Sequence, residues 1–158
     1  MPARKKQAEQ TTDSEFRCRL VAAAADSLRA SDIVALDLRP LTIIADFFVI
    51  CTGKSSVQIR SIADRMEERM RAQGYRKHRI EGYRDGTWIL LDYGDVVAHV
   101  MAAEAREFYN LETFWAAAER LELVLDVEST ATPPELPAVR TTSARTRTTK
   151  SPALQIQT

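Results

Sequence analysis

A nearly unbroken apolar run, from Ile43 to Thr52, is the feature that most constrains the fold of this chain. It reads IIADFFVICT and is much shorter than the roughly 18–20 apolar residues that a membrane-spanning helix needs. Its β-branched and aromatic residues favour a strand. A strand that is apolar at successive positions is buried on both faces, so we expect it inside a sheet with helices on each side.

A helix is predicted directly after this strand. Gly53 breaks the strand, and Ser55 and Gln58 have the spacing of a capping box. Gly74 is well placed to end the helix. The apolar positions between these signals recur at helical spacing, at Ile59, Ile62, Ala63, Met66 and Met70.

The rest of the body alternates between helical and strand periodicity. Thr12 and Glu15 have capping-box spacing ahead of an apolar stripe, which predicts a first helix. A last helical region begins near Glu104 and is interrupted near Asn110; it resumes through Phe114 and Trp115 and runs, through AAAERLEL, to about Leu123. The predicted strands span 33–38, 43–52, 78–83, 87–93 and 96–101. The order α-β-β-α-β-β-β-α predicts an α/β fold with a mixed sheet of about five strands flanked by helices.

Composition divides the chain into one body and two looser ends. We predict a flexible N-terminal segment over 1–13, one domain over 14–126, and a disordered basic tail rich in Thr and Pro over 127–158. The net charge of +0 conceals this division, because residues 16–128 carry 15 basic and 18 acidic side chains and residues 129–158 carry four basic and one acidic. The balanced charge argues against a general nucleic-acid-binding protein.

A cytoplasmic location is predicted. The start, MPARKKQAEQ, is charged and does not resemble a secretory signal, and no run is long enough to cross a membrane. Cys18 and Cys51 are the two cysteines, and Cys51 lies in the apolar segment FFVIC. We expect Cys51 to be a buried, reduced thiol, and a cytosolic compartment fits both cysteines, with a disulfide as the alternative.

Motifs for catalysis and metal binding are incomplete. Gly53-Lys54-Ser55 resembles the end of a phosphate-binding loop, but Phe48 stands where that loop needs its first glycine. The two histidines, His78 and His99, have no second ligand at a metal-binding spacing, and His99 alternates with apolar residues as a structural histidine does. We predict no catalytic residue, metal or cofactor, although sequence order alone leaves open a Ser/His/Asp or Cys/His centre.

Aromatic residues indicate a candidate contact surface. In the strand TWILLDY, alternation places Trp88 and Asp92 on one face and Tyr93 on the other. The Trp88 face ends in an acid, which favours partial exposure. Tyr109 and Trp115 lie on either side of the helix interruption. Large aromatics beside carboxylates suit a protein-binding face, and core packing is the alternative interpretation.

Three longer runs carry a family resemblance. They read ALDLRPLTIIADFFVICTGKSS, IEGYRDGTWILLDYGDVVAHVM and EAREFYNLETFW. Together they closely resemble the ribosomal silencing factor family, RsfS or Iojap, from about Ser31 to Trp115. Each shared residue or short motif alone is a weak family signal, but the set as a whole is highly specific. The set consists of Asp46, Cys51-Thr52-Gly53, Ser55, Trp88, Leu91-Asp92, Gly94-Asp95, His99 and Phe108-Tyr109-Asn110-Leu111-Glu112.

The resemblance implies a translation repressor that is not an enzyme. Members of the family bind the large ribosomal subunit through its ribosomal protein fourteen, and they block joining of the small subunit when nutrients are short. The resemblance also implies a fold like that of nucleotidyltransferases. The catalytic carboxylate pair of those enzymes is missing, since the segment after Lys54 contains Asp64 alone.

The contact residues expected from this resemblance combine aromatic area with acids that pair with a basic ribosomal protein. The basic tail is a candidate for peripheral contact with ribosomal RNA, and the aromatic face could alternatively serve a homodimer. The expected contact residues are Trp88, Asp92 and Tyr109, with Tyr93, Asp95 and Leu111 as further candidates.

The alternative function comes from another class of protein. It is that of a divergent nucleotidyltransferase acting on a nucleotide or RNA end.

Overall fold

The chain has the α/β architecture that its sequence predicts. The computed structural model describes residues 2–125, with side chains from residue 13 onward. The elements in chain order are α1 (Pro2–Ser27), β1 (Ser31–Asp37), β2 (Phe47–Gly53), α2 (Ser56–Ala72), β3 (Arg79–Glu81), β4 (Trp88–Asp92), β5 (Val96–Ala102), α3 (Ala103–Tyr109), α4 (Leu111–Phe114) and β6 (Glu119–Arg120).

The strands form one mixed sheet in the order β3-β4-β5-β2-β1-β6. Strand β2 lies in its interior, parallel to β5 on one side and antiparallel to β1 on the other. The remaining neighbours are antiparallel. The mixed sheet is thus confirmed, with one short strand more than predicted.

Helices α1 and α2 cover one face of the sheet, here called the helix face. Strand β2 sends Phe47, Val49 and Cys51 to this face, where they pack with apolar residues of both helices. Strand β4 contributes Ile89 and Leu91, as its alternation predicts. The main hydrophobic core therefore lies between the sheet and these two helices.

The start of α2 is fixed by the predicted capping box. The Ser55 hydroxyl accepts a hydrogen bond from the Gln58 backbone N–H at 3.1 Å. The Gln58 side-chain oxygen accepts one from the Lys54 N–H at 2.6 Å, and its amide nitrogen donates to the Leu28 carbonyl at 3.1 Å. The cap thus also joins α2 to the end of α1. At the other end Gly74 has φ +84° and ends the helix as predicted.

Strand β2 begins four residues later than its apolar run predicts. Leu38 starts a turn in which its carbonyl accepts from the Leu41 and Thr42 N–H groups at 2.9 and 3.0 Å. As a result Ile43 and Ile44 are exposed rather than buried in the sheet. The predicted strand over 43–46 is wrong because apolar composition did not reveal this turn.

Helix α1 begins earlier than its sequence signal predicts. It starts at Pro2, so Thr12 lies inside the helix and is not its N-terminal cap. The predicted flexibility of residues 1–13 stays a prediction. The predicted tail over 127–158 lies outside the described residues.

The predicted last helix is wrong beyond Trp115. Residues 119–120 instead pair with β1, and the Leu121 N–H donates to the Ala35 carbonyl at 2.9 Å. Leu121, Leu123 and Leu125 pack against the main core. Their spacing of two is a strand pattern, and the tertiary contact overrides the helix propensity of AAAERLEL.

Both cysteines are buried free thiols, as predicted for Cys51. Burial raises the pKa of Cys18 and of Cys51 to about 12, so neither thiol ionises readily. Among residues 2–125, no helix is long and apolar enough to cross a membrane.

Two glycines allow a test of how tightly the loop before β4 is packed. Gly82 and Gly74 both have positive φ, +76° and +84°. A Cβ on Gly82 would lie 1.9 Å from the Trp88 carbonyl oxygen, whereas one on Gly74 would meet nothing within 4 Å. We expect Gly82→Ala to lower the free energy of unfolding by about 1–3 kcal/mol more than Gly74→Ala, as urea unfolding would measure. Equal losses would show that backbone conformation alone accounts for both.

Candidate functional site

The second face of the sheet, opposite α1 and α2, is only partly covered. The short helices α3 and α4 lie against it and pack on Leu36, Ile50 and Met101. Phe48 and Trp88 are half-buried at the margin of this small cluster. This face therefore combines a thin core with side chains that remain open to contact.

Aromatic rings form a continuous series across this face, here called the aromatic band. On one side Phe108 contacts Tyr109 at 5.0 Å between ring centroids, and Tyr109 contacts Trp88 at 4.6 Å. Trp88 is followed by His99 at 5.8 Å, and His99 by Phe48 at 4.7 Å. These distances lie within the range that favours edge-to-face and offset ring packing.

The band continues from Phe48 onto the segment that follows α4. Phe48 contacts Trp115 edge to face at 5.9 Å, and Trp115 contacts Phe114 edge to face at 5.0 Å. The seven rings thus link three neighbouring strands with the end of α3 and the end of α4.

Sheet register explains the middle of the band. Trp88 pairs with Met101 across β4 and β5, and Leu90 pairs with His99. Trp88 and His99 are therefore diagonal neighbours on one face, a separation that large rings can bridge. Phe48 reaches the same face from β2, because it pairs with Val97 in the parallel ladder.

Exposure rises from the middle of the band to its ends. His99 is 3% exposed, whereas Tyr109 is 53%, Phe114 76% and Phe108 81% exposed. A monomeric protein rarely exposes several large rings in one place, and such patches usually mark contact sites. The middle of the band thus belongs to the fold, and its ends are available to a partner.

His99 holds the Trp88 indole in place. The indole N–H donates to His99 Nδ1 at 3.1 Å, so the proton of the neutral ring is assigned to Nε2. Burial lowers the pKa of His99 to about 4, which keeps the ring neutral near pH 7. Nε2 is buried without a hydrogen-bond partner in the described part of the chain. The predicted structural role of His99 agrees with this geometry.

The corner between α3 and α4 positions the exposed rings. Asn110 has a left-handed conformation, with φ 45° and ψ 54°, and it ends α3 and precedes α4. Asn tolerates this conformation better than most residues. The predicted interruption near Asn110 is confirmed. It places Tyr109 over Trp88 and directs Leu111 into the small cluster of this face.

Arg106 ties this corner to the sheet. Its guanidinium donates to the Asp32 carbonyl at 2.7 Å and to the Thr52 hydroxyl at 2.9 Å. It also forms an ion pair with Glu112 at 2.7 Å, and Glu112 pairs in addition with the more exposed Arg120 at 3.2 Å. One buried side chain thus connects α3, α4, β1 and β2.

The structure brings together three of the predicted contact residues. Trp88 and Tyr109 are in ring contact, and Leu111 packs in the cluster beneath them. Asp92 lies on the same face at the far end of β4, where its carboxylate accepts a hydrogen bond from the Gly94 N–H at 2.8 Å. This hydrogen bond gives Asp92 a structural role in the turn between β4 and β5.

The other two predicted residues lie elsewhere. Tyr93 is 3% exposed and packs in the core of the helix face, where burial raises its pKa to about 12. Contrary to the prediction, it is not part of the exposed surface, because alternation turns it away from Trp88. Asp95 is exposed, but its carboxylate pairs with Arg17 of α1 at 2.7 Å.

Sequence reasoning did not select Phe48 or Phe114 as surface residues. Alternation in FFVIC could have identified Phe48, because it places Phe48 opposite Phe47 and Val49. Phe114 has no comparable signal, since its exposure depends on how α4 ends. Among the side chains that the structure describes, from residue 13 to residue 125, no group of three or more His, Cys, Asp or Glu is arranged to hold a metal ion.

The open aromatic face gives this α/β domain the features of a protein-binding module. Comparison with known proteins identifies the family: the family model described as ribosomal silencing factor during starvation matches residues 10–154. The chain belongs to this family of regulatory proteins, which are not enzymes.

Named relatives support the same assignment. The chain is 42% identical over 100 residues to the ribosomal silencing factor RsfS of Halalkalibacterium halodurans, a match covering 63% of this chain and 86% of that one. It is 39% identical over 105 residues to the protein of the same name in Bacillus subtilis, covering 66% and 89%. It is also 37% identical over 108 residues to the chloroplastic protein Iojap of Zea mays, covering 68% and 47%.

Solved structures share the fold. A crystal structure of a Chromobacterium violaceum protein matches with a TM-score of 0.64 and 28% identity, covering 70% of this chain and 91% of that one. One from Bacillus halodurans matches with a TM-score of 0.59 and 38% identity, covering 66% and 94%.

The buried His99 predicts a pH dependence of stability. Its pKa in the folded protein, about 4, lies below the ordinary value of 6.5, so between these pH values the unfolded chain binds a proton that the folded protein does not. This difference should lower the free energy of unfolding by about 2 kcal/mol between pH 7 and pH 5. Urea unfolding at both pH values should show this loss in the unaltered protein and a smaller one in His99→Gln. His78→Gln, which changes an exposed histidine, is the control and should keep the full loss.

A second prediction concerns the two arginines that share Glu112. The side chains of Arg106 and Arg120 are 13% and 64% exposed. Arg106→Gln should lower the free energy of unfolding by about 2 kcal/mol, because it removes a largely buried ion pair and two hydrogen bonds, one of them to the buried Thr52 hydroxyl. Arg120→Gln should cost less than about 1 kcal/mol, as is usual for an exposed pair. Similar losses in thermal or urea unfolding would contradict the role given to Arg106.

Proposed function

We propose that this chain is a cytoplasmic translation repressor that binds the large ribosomal subunit through its ribosomal protein fourteen. Bound there, it blocks joining of the small subunit and so silences ribosomes in starvation or stationary phase. Family membership supports the ribosomal role, since the matching family is described as a silencing factor during starvation and relatives bear the name ribosomal silencing factor.

The exposed ends of the aromatic band carry this proposal. Phe108, Tyr109 and Phe114 are each more than half exposed and lie beside the half-buried Trp88 and Trp115. An aromatic side chain buries about 150–250 Å² when it is fully covered, so three that are 53% to 81% exposed supply roughly half of the ~800 Å² per partner in a standard interface. No chemical step is involved, because the repression that we propose is steric.

Charge around the band complements a basic partner. Residues 103–120 carry four acidic and two basic side chains, and both basic ones, Arg106 and Arg120, pair with Glu112. Glu104 and Glu107 are exposed on α3. Ribosomal proteins are generally basic, so these acids favour the encounter and its orientation more than they add to affinity.

Two further contacts stay predictions. The basic tail, a candidate for peripheral contact with ribosomal RNA, lies outside residues 2–125.

A homodimer could use the same aromatic band, in which case added ribosomal protein fourteen would compete with dimer formation. Sedimentation of the chain with and without that protein would separate the two uses.

A sucrose gradient tests the proposed repression directly. Added chain should shift coupled ribosomes toward free subunits and should sediment with the large subunit alone. If the chain sediments with neither subunit, or with both equally, the proposed steric block is wrong.

Single ring removals test the proposed surface. We expect Tyr109→Ala and Phe108→Ala each to weaken binding to large subunits by about 30- to 1000-fold, equivalent to roughly 2–4 kcal/mol. Both rings are exposed, so the fold should survive, whereas Trp88→Ala would also remove the hydrogen bond to His99. The matched control is Phe16→Ala, at a half-exposed ring of α1 on the helix side. Wild-type binding by both α3 variants would refute this site assignment.

A further inference from the structure

A second surface of the molecule is strongly basic. It comprises the last turn of α2, the segment that follows, strand β3 and the β3–β4 loop, and is here called the basic edge. We propose that the basic edge binds the phosphate backbone of RNA. Its cations are Arg69, Arg71, Arg76, Lys77, Arg79 and Arg84.

The charge of the body is concentrated at this edge. Residues 69–87 carry six Lys or Arg and two acids, Glu81 and Asp85, a net charge of +4, and the rest of 16–128 carries −7. The net charge of −3 of this body therefore conceals two regions of opposite sign. An RNA backbone would be attracted to one of them and repelled by the other, which would orient its approach.

The sheet order places these cations along one margin of the molecule. Strand β3 is the outermost strand on its side and pairs only with β4. Arg79 lies opposite Asp92 in the ladder, so it projects to the same face as the aromatic band. Arg76 and Lys77 precede the strand and Arg84 follows it, which spreads the charge along the whole edge.

Several of these cations are available for a ligand. Among the described residues, Arg69, Arg76 and Arg84 have no ion pair, whereas Arg71 and Lys77 share the single carboxylate of Glu67. Arg79 pairs with Glu81 at 3.3 Å, and both side chains are more than half exposed. Such an exposed pair contributes little and yields readily to a phosphate.

Arg60 fixes the loop that carries Arg84. Its guanidinium donates to the Tyr83 carbonyl at 2.9 Å and to the Arg84 carbonyl at 2.5 Å. The loop is thus held against α2 by a second arginine, which adds positive charge at the same end of the edge. The loop backbone is positioned before any ligand arrives, which lowers the entropic cost of binding.

The composition of the edge favours RNA over a protein partner. Protein interfaces are anchored by large apolar and aromatic side chains, and within 69–84 Tyr83 is the one such side chain that is exposed. Contacts to phosphate need only a row of cations. Protection of an edge strand from other strands also uses Lys or Arg, but these cations extend onto α2 and into the β3–β4 loop, beyond the strand itself.

Binding of RNA to the full chain tests the proposal without the ribosome. The probe is a fluorescein-labelled RNA hairpin with a stem of about 16 base pairs, followed by anisotropy between about 50 and 200 mM salt. Arg76→Gln combined with Arg84→Gln should weaken binding roughly tenfold and lower the slope of log K against log salt by about 2. Neither residue makes a side-chain ion pair within the described structure, so this double variant should remain folded.

The matched control removes two other exposed cations, Arg29 and Lys54, by Arg29→Gln and Lys54→Gln. It changes the net charge equally and should keep wild-type RNA affinity and slope. Equal losses in both double variants would overturn the proposal, since only net charge would then matter. Unchanged RNA binding in the edge variant would also overturn it and assign any RNA affinity to another part of the chain.

Binding to isolated ribosomal protein fourteen separates this proposal from the one made for the aromatic band. The edge variant should bind that protein as the unaltered chain does, and Tyr109→Ala should bind RNA as the unaltered chain does. If the edge variant instead loses binding to ribosomal protein fourteen and keeps its affinity for RNA, the basic edge is a protein contact and the proposal is wrong.

Discussion

The burial of β2 between two neighbouring strands is the constraint on which the rest of the structure depends. Its successive residues point to opposite faces, so Phe47 and Val49 must be covered on one side, and Phe48 and Ile50 on the other. Two long helices meet the first requirement fully. The two short helices meet the second only in part, and this incomplete cover leaves a row of rings exposed.

The exposed rings remain ordered because the centre of their row is built as core. His99 is buried and accepts the Trp88 hydrogen bond, which fixes one ring, and Phe48 is held by the sheet. Tyr109 then packs on a ring that does not move freely. A surface that is ordered before binding loses less side-chain entropy on association, so the same contacts give more affinity. Burying His99 with Nε2 unpaired costs stability, and in exchange the ring holds the Trp88 indole in one orientation.

Local signals predicted the elements well, and they failed where tertiary contacts decide. The capping box at Ser55, the break at Asn110 and the alternation around Trp88 each depend on a few neighbouring residues, and all three are present in the structure. The turn after Leu38 and the pairing of 119–120 with β1 depend on distant backbone groups, and both contradicted the prediction. The burial of Tyr93 on the helix face follows the same alternation, which had already placed this residue opposite Trp88.

The distribution of charge over the surface says more about possible partners than the net charge does. A chain with +0 overall, and a body that is mildly acidic, would be expected to avoid RNA. Screening limits exposed charges to about 8–10 Å, however, so an approaching backbone responds to the nearest charged region and not to the sum. Because β3 pairs with β4, which carries Trp88, the basic edge borders the aromatic band. One face of the sheet can therefore contact a basic protein through the aromatic band and, at its margin, contact through the basic edge the RNA to which such a protein is bound.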